Sequence, residues 1–256
     1  MKTITDACEE YDLDGVFIDG FQGYSPSGGF NRVLGSCAPA TQKAWLSGLN
    51  ASLWALHKNF TTGKNAGKKK KIICNQTGGT FNCDVTTGEC YCTASNEERW
   101  GGGSDGVQVL QEYDAAHPAK GVIVHVPHVA VNNDIYNSSL AAFLLGAGDN
   151  DAYGVGFGYV CSSGGWLAGE KDPNLKKPLG APTGPSSNMS NIWRRTFASG
   201  VKVYMNATPV VSVGARVNTC IVWADGVQTP RNTGCDQLRQ LEQEEAQQEA
   251  AAAERG

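Results

Sequence analysis

Short apolar runs separated by longer amphipathic stretches set the rhythm of this chain. Val16, Phe17 and Ile18 lie between Gly15 and the Asp19-Gly20 pair, and Ile72, Ile73 and Cys74 close on Asn75. β-branched or aromatic runs of this length, bounded by glycine or polar residues, predict strands buried on both faces. Tyr91 to Ser95, the GVIVHVPHV segment and Tyr153 to Val160 continue the series. The gaps predict helices. Thr5 or Asp6 caps a short one ending near Tyr11. In AWLSGLNASLWALHKNF, residues Trp45, Leu46, Leu49, Leu53, Trp54 and Leu56 recur at three- and four-residue steps, which makes one face apolar. Trp45 and Trp54 then read as core, and His57 as a last-turn charge or a surface residue. VQVLQEYDAA, capped by Ser104 or Asp105, and DIYNSSLAAFLLGAG supply two more helices.

Five strand units therefore end at Asp19, Asn75, Glu98, His128 and Cys161, with helices between them. Such alternation predicts a parallel sheet, either doubly wound or closed as a barrel. The lack of an early Gly-rich dinucleotide fingerprint weakens the doubly wound alternative. Beyond them, Lys202 to Met205 and Val210 to Trp223 alternate as antiparallel strands. The QLRQLEQEEAQQEAAAAERG tail has no apolar stripe past Leu241 and reads as solvated and partly helical. The expected divisions are 1–170, 171–235 for the β extension, and 236–256 for the tail.

Composition narrows the classes. With 256 residues, 41% hydrophobic and 18% charged, the chain can bury a full core. A net charge of -4 argues against a polyanion partner, since a nucleic-acid binder should carry a basic face, so nucleic acid is not an expected partner. Lys68 to Lys71 read as a solvated turn. No apolar run reaches membrane-span length, so no membrane partner is expected either. The nine cysteines point to an oxidising compartment, with at least one thiol left over. Thr86, Thr87 and Gly88 turn the chain between Cys83 and Cys90, which predicts a disulfide-closed hairpin, and Cys220 can pair with Cys235. The spacing of Cys90 and Cys92 does not suit zinc. Asn-x-Ser/Thr sequons at Asn50, Asn59, Asn75, Asn137, Asn188 and Asn206 add to the case for secretion. MKTITDACEEYDLDG is not a signal peptide and resembles the interior of a domain, so upstream residues carrying a signal are expected.

Candidate chemistry collects at the strand ends. Asp19 ends the first strand, where parallel α/β folds place reactive groups; its bland alternative is a turn aspartate before Gly20. Glu97 and Glu98 end the third strand, followed by Arg99, Trp100 and a glycine run without the Lys-Ser/Thr of a phosphate loop. Their alternative is a surface salt-bridge triplet. Two carboxylates on different strand ends suit glycosidic cleavage: one protonates the leaving oxygen while the other attacks or activates water. Tyr24, Trp100 and Trp166 can stack on sugar rings. Asn75 either donates to a ligand hydroxyl or carries a glycan. His128 is a substrate contact and His125 a hydrogen-bonded core residue; three apart on a strand, they face opposite ways and share no ion. Asp149 and Asp151 read as loop and capping residues. No metal or cofactor is expected.

YDLDGVFIDGF, ERWGGGSDG, LLGAGDNDAYGVGFG, and above all KKPLGAPTGP followed by IWRRTFASGVKVYMNATP resemble the catalytic C-terminal half of TIM-barrel glycoside hydrolases of a hypothetical family type. Pro178 to Pro182, Arg194, Arg195, Phe197, Gly200 and Asn206 match the most specific part, and the resemblance covers roughly residues 5 to 225. It implies a (β/α)8 barrel, here incomplete and reduced to roughly its last five β/α units, with C-terminal antiparallel strands. It also implies Asp19 at the fourth barrel strand and Glu98 or Glu97 at the sixth. Glu98 is preferred as two residues before Trp100. The first three units are missing, and the Cys83 to Cys92 hairpin is an insertion. The expectation is a secreted glycoside hydrolase acting on an oligo- or polysaccharide, with Asp19 as nucleophile or base and Glu98 as general acid. The rival is a non-catalytic secreted carbohydrate-binding protein on a degenerate barrel. A metal-dependent hydrolase ranks last, because His128 is the one available ligand.

Overall fold

The computed structural model describes residues 4–18, 39–63, 66–68, 70–75, 90–98, 104–127, 134–156, 172–189, 191–206, 218–229, 235–236, 240, 243–244, 247 and 251. The chain divides into two compact units, Met1–Glu98 with Ala119–Ile123, and Arg99–Pro118 with Val124–Gly256.

The first unit holds α1 (Ile4–Glu10), β1 (Gly15–Ile18), α2 (Pro39–Thr61), β2 (Lys71–Asn75) and β3 (Ala94–Glu98). β1 runs parallel to β2, with Ile18 opposite Cys74, and β2 runs parallel to β3, with Asn75 opposite Asn96. Gly15 is obligatory at the start of β1, since an added Cβ would fall on the Lys71 carbonyl oxygen. Lys70 departs from the solvated turn expected of the lysine run. It is buried, donates to the Leu13 carbonyl and pairs with Asp12, so it fixes the turn between α1 and β1. His57 is buried as well, rather than a surface charge. Its Nδ1 lies 3.3 Å from the Tyr91 carbonyl oxygen, which can only accept, so Nδ1 carries the proton. Trp54 meets both His57 and Tyr91 edge-on.

Cys74 and Cys92 form a disulfide across the stretch between β2 and β3. Thr93 Oγ1 binds both the N–H and the carbonyl of Ile72, and Lys120 Nζ donates 2.5 Å to the Cys92 carbonyl. Burial, with Lys71 adding repulsion, lowers the affinity of Lys120 for its proton. Cys90 is also disulfide-bonded; Cys83 and the expected hairpin turn lie outside the described residues.

The second unit contains α3 (Ser104–Ala116), most of β4 (Gly121–Pro127), α4 (Asp134–Gly146), β5 (Ala152–Gly156), a 3-10 turn (Pro173–Lys176), and β6 (Ser187–Met189), β7 (Ile192–Thr196), β8 (Lys202–Asn206), β9 (Thr219–Val222) and β10 (Gln228–Thr229). α4 is buried almost all round, as a helix without a polar face must be. It packs on α3 and on β7, β8 and β9. At Gly146 a Cβ would lie 2.8 Å from the Val107 carbonyl oxygen, so glycine permits the close approach of α3. Arg195 closes the far end of α4, its Nη1 donating to the carbonyls of Leu144 (3.1 Å), Leu145 (3.4 Å) and Ala147 (2.7 Å). These are carbonyls a helix terminus leaves without intrahelical partners.

The strands form two five-stranded sheets, one ordered β1-β2-β3-β4-β5 and an antiparallel one ordered β10-β9-β8-β7-β6. This corrects the expected TIM barrel. The first sheet is a linear order with β1 and β5 at its ends, accompanied by the four α-helices α1 to α4. The result is an α/β arrangement with a separate antiparallel sheet. β/α alternation is common to open and closed sheets, whereas closure depends on strand number, tilt and stagger, which local periodicity does not encode.

β9 lies within the stretch expected from Val210 to Trp223, and β8 covers the one expected from Lys202 to Met205 and runs one residue further. Cys220 does pair with Cys235, beside Ile192 and Tyr204 in the core. In the tail, Gln240 and Glu244 are helical and exposed, joined by a 2.9 Å side-chain hydrogen bond. No helix among the described residues is long and apolar enough to cross a membrane.

Candidate active site

Two neighbouring strand ends of the first unit build the site. β2 finishes on Asn75, and β3 finishes on Asn96, Glu97 and Glu98. Parallel register sets Asn75 opposite Asn96, and the Nδ2 of Asn96 donates 2.7 Å to the Oδ1 of Asn75. Both are nearly sealed from solvent, at 2% and 6% exposure. Buried amides persist in proteins when they are paired, so each holds the other in place. Asn75, expected either as a ligand-binding residue or as a glycan-bearing loop residue, is a buried strand residue.

One residue on, the pleat reverses the facing. Ser95 and Glu97 are two apart on β3 and share a side of the strand, opposite to Asn96. The hydroxyl of fully buried Ser95 donates 2.8 Å to Glu97 Oε1, fixing one oxygen of a half-buried carboxylate. Glu98 is the last residue of β3; its side chain, together with Asp19, Tyr24, Trp100, His128 and Trp166, lies outside the described residues. Of the expected site residues, the structure thus places Asn75 and Glu97 on adjacent strand ends but on opposite faces, with the backbone of Glu98 following.

Asn96 and Ser95 carried no functional signal in the sequence. The strand expected over Tyr91 to Ser95 is instead Ala94–Glu98, which moves the polar residues from the following loop into the sheet. Asp151 behaves as expected, its Oδ2 accepting from the Gly148 N–H at 2.9 Å before β5. Among the described residues, no group of three or more His, Cys, Asp or Glu side chains is placed to hold a metal ion.

A second polar cluster lies in the other unit. Tyr136 donates to Asp172 Oδ2, while Asp172 Oδ1 accepts from the Asn174 N–H at 2.9 Å. Tyr153 and Ser139 share a 2.8 Å hydroxyl hydrogen bond. Burial raises the phenol pKa of Tyr136, and the hydrogen bond to Asp172 and its charge raise it further. Burial likewise raises that of Tyr153, against the pull of the Ser139 hydrogen bond. Both Asp172 oxygens are occupied by donors from the fold, so this acid caps the 3-10 turn and ties it to α4.

Compared with families of known proteins, the chain matches one whose description is that of hypothetical glycosyl hydrolases. It belongs to hypothetical glycosyl hydrolase family 15, whose model matches residues 1–201. That span takes in the whole first sheet and the second as far as Val201. No curated protein matches the chain.

Proposed function

We propose that the protein hydrolyses glycosidic bonds of an oligo- or polysaccharide with a carboxylate pair at the ends of β1 and β3: Asp19 as nucleophile or base and Glu98 as general acid. The observation that carries this reading is the Asn75–Asn96 couple at the carboxyl ends of adjacent parallel strands, where α/β folds collect their chemistry. Asp19 follows Ile18 in the chain as Asn75 follows Cys74, and Ile18 and Cys74 are register partners. Glu98 is two residues beyond Asn96. Glu97 is already held by Ser95, which favours Glu98 as the group that protonates the leaving oxygen. Asp19 then attacks the anomeric carbon or activates a water. Tyr24, Trp100, His128 and Trp166 serve as substrate contacts, while Asn75, buried against Asn96, sets the strand ends on which the acids stand.

Family membership supports the reaction class. The disulfides, together with the sequons, support passage through the secretory pathway. The test is a panel of aryl glycosides and oligosaccharides assayed with wild type, Asp19→Asn and Glu98→Gln. Each variant should lose roughly 100-fold or more in turnover. Near wild-type rates in both would overturn the assignment, and glycan binding without hydrolysis of any panel member would favour a carbohydrate-binding protein.

A further inference from the structure

We infer that Asn188 is an N-glycan acceptor of this chain and that the folded protein excludes a glycan at Asn75 and Asn137. The inference rests on the secretory reading above and uses the contrast in burial among the sequons. Asn137 lies in α4 at 2% exposure, with both flanking residues buried. Asn75 is equally buried and bonded to Asn96. A glycan is bulky and strongly hydrated, so at either position it would have to displace the surrounding core. Asn59 and Asn206 are half-buried, on α2 and β8.

Asn188 differs from all of these. It is exposed, at the middle of the three-residue strand β6. Among the described residues β6 is the last strand of its sheet, pairing with β7 through Ser187–Arg194, Asn188–Trp193 and Met189–Ile192. A sugar chain there projects into water and also shields a strand edge, the part of a sheet most prone to pair with other chains. The acceptor step is a group transfer from an oligosaccharide linked to a polyisoprenoid diphosphate. The bond between the sugar C1 and the diphosphate oxygen breaks, a bond from C1 to Asn188 Nδ2 forms, Nδ2 gives up one proton, and the lipid diphosphate leaves.

The full chain, fused to a supplied leader and expressed in a eukaryotic secretory host, tests this by glycopeptide mapping with and without peptide-N-glycosidase. The expected result is occupancy at Asn188, abolished in both Asn188→Gln and Ser190→Ala, and no occupancy at Asn75 or Asn137 in folded, secreted protein. An unmodified Asn188, or a glycan on Asn75 or Asn137 in folded material, overturns the inference. Ser190→Ala removes the sequon while leaving Asn188 in place, so the result stands even if Asn188→Gln folds poorly. Because the leader is supplied, the outcome is separate from whether the native chain is exported, which fractionation of the source cells decides.

Discussion

Asn96 donates its side-chain N–H to the Oδ1 of Asn75 at 2.7 Å, joining two adjacent parallel strands through a pair of buried amides. Truncating the donor leaves a buried carbonyl oxygen without this partner, which costs about 1–3 kcal/mol. Asn96→Ala should therefore lower the melting temperature by several degrees. Asn96→Asp should be worse, because a carboxylate oxygen would face the Asn75 carbonyl. Thermal melts of the two variants check the ordering, and an unshifted Asn96→Ala would show that the pair is not structural.

The two glutamates of β3 should separate kinetically. A general acid matters most when the leaving group is a poor one. Glu98→Gln should therefore lose about 100-fold or more on alkyl glycosides and much less on a dinitrophenyl glycoside. Glu97→Gln keeps an oxygen for Ser95 and should stay within a few-fold of wild type on both substrates. The reverse pattern would transfer the acid role to Glu97.

The Cys74–Cys92 disulfide, with a sequence separation of 18, closes a loop next to Asn75. Loops of this size restrict the unfolded chain by about 3 kcal/mol. Replacing both cysteines by serine should lower the denaturation midpoint accordingly, as measured by urea titration. An unchanged midpoint would mean that Thr93 and the strand pairing alone hold the β2 and β3 ends.

Alkaline pH should weaken the second unit through Tyr136. Burial first, and the hydrogen bond to Asp172 second, raise its folded pKa above its ordinary value of 10.0. A folded pKa raised in this way contributes stability that is fully present below about pH 10 and lost as pH climbs further. Tyr153 adds to the same arm. Tyr136→Phe should cost about 1 kcal/mol at neutral pH and flatten the decline above pH 10. Equilibrium unfolding across pH 7 to 11 measures both effects.

Much of the fold was legible because short apolar runs bounded by glycine or polar residues mark strands whatever surrounds them, as β1, β2 and β4 show. β3 was displaced because Ala-Ser-Asn-Glu-Glu has neither an apolar run nor an alternation; its strand character comes from pairing with β2. With that displacement, Asn96 and Ser95 escaped notice as site residues. His57 did carry a signal: with Leu53, Leu56 and Phe60 it completes one helical face, and all four are buried. Barrel closure was illegible, since it is a property of the assembled sheet and not of any unit within it.

Arg195 reaches from β7, next to the edge of the antiparallel sheet, to the end of α4 and holds the carbonyls of Leu144, Leu145 and Ala147 with one nitrogen. Opening either element strips the guanidinium of its acceptors, so neither can fray alone at low cost. The amides of β7 and of the final turn of α4 should then exchange with deuterium as a single cooperative block, and Arg195→Lys should split that block into two.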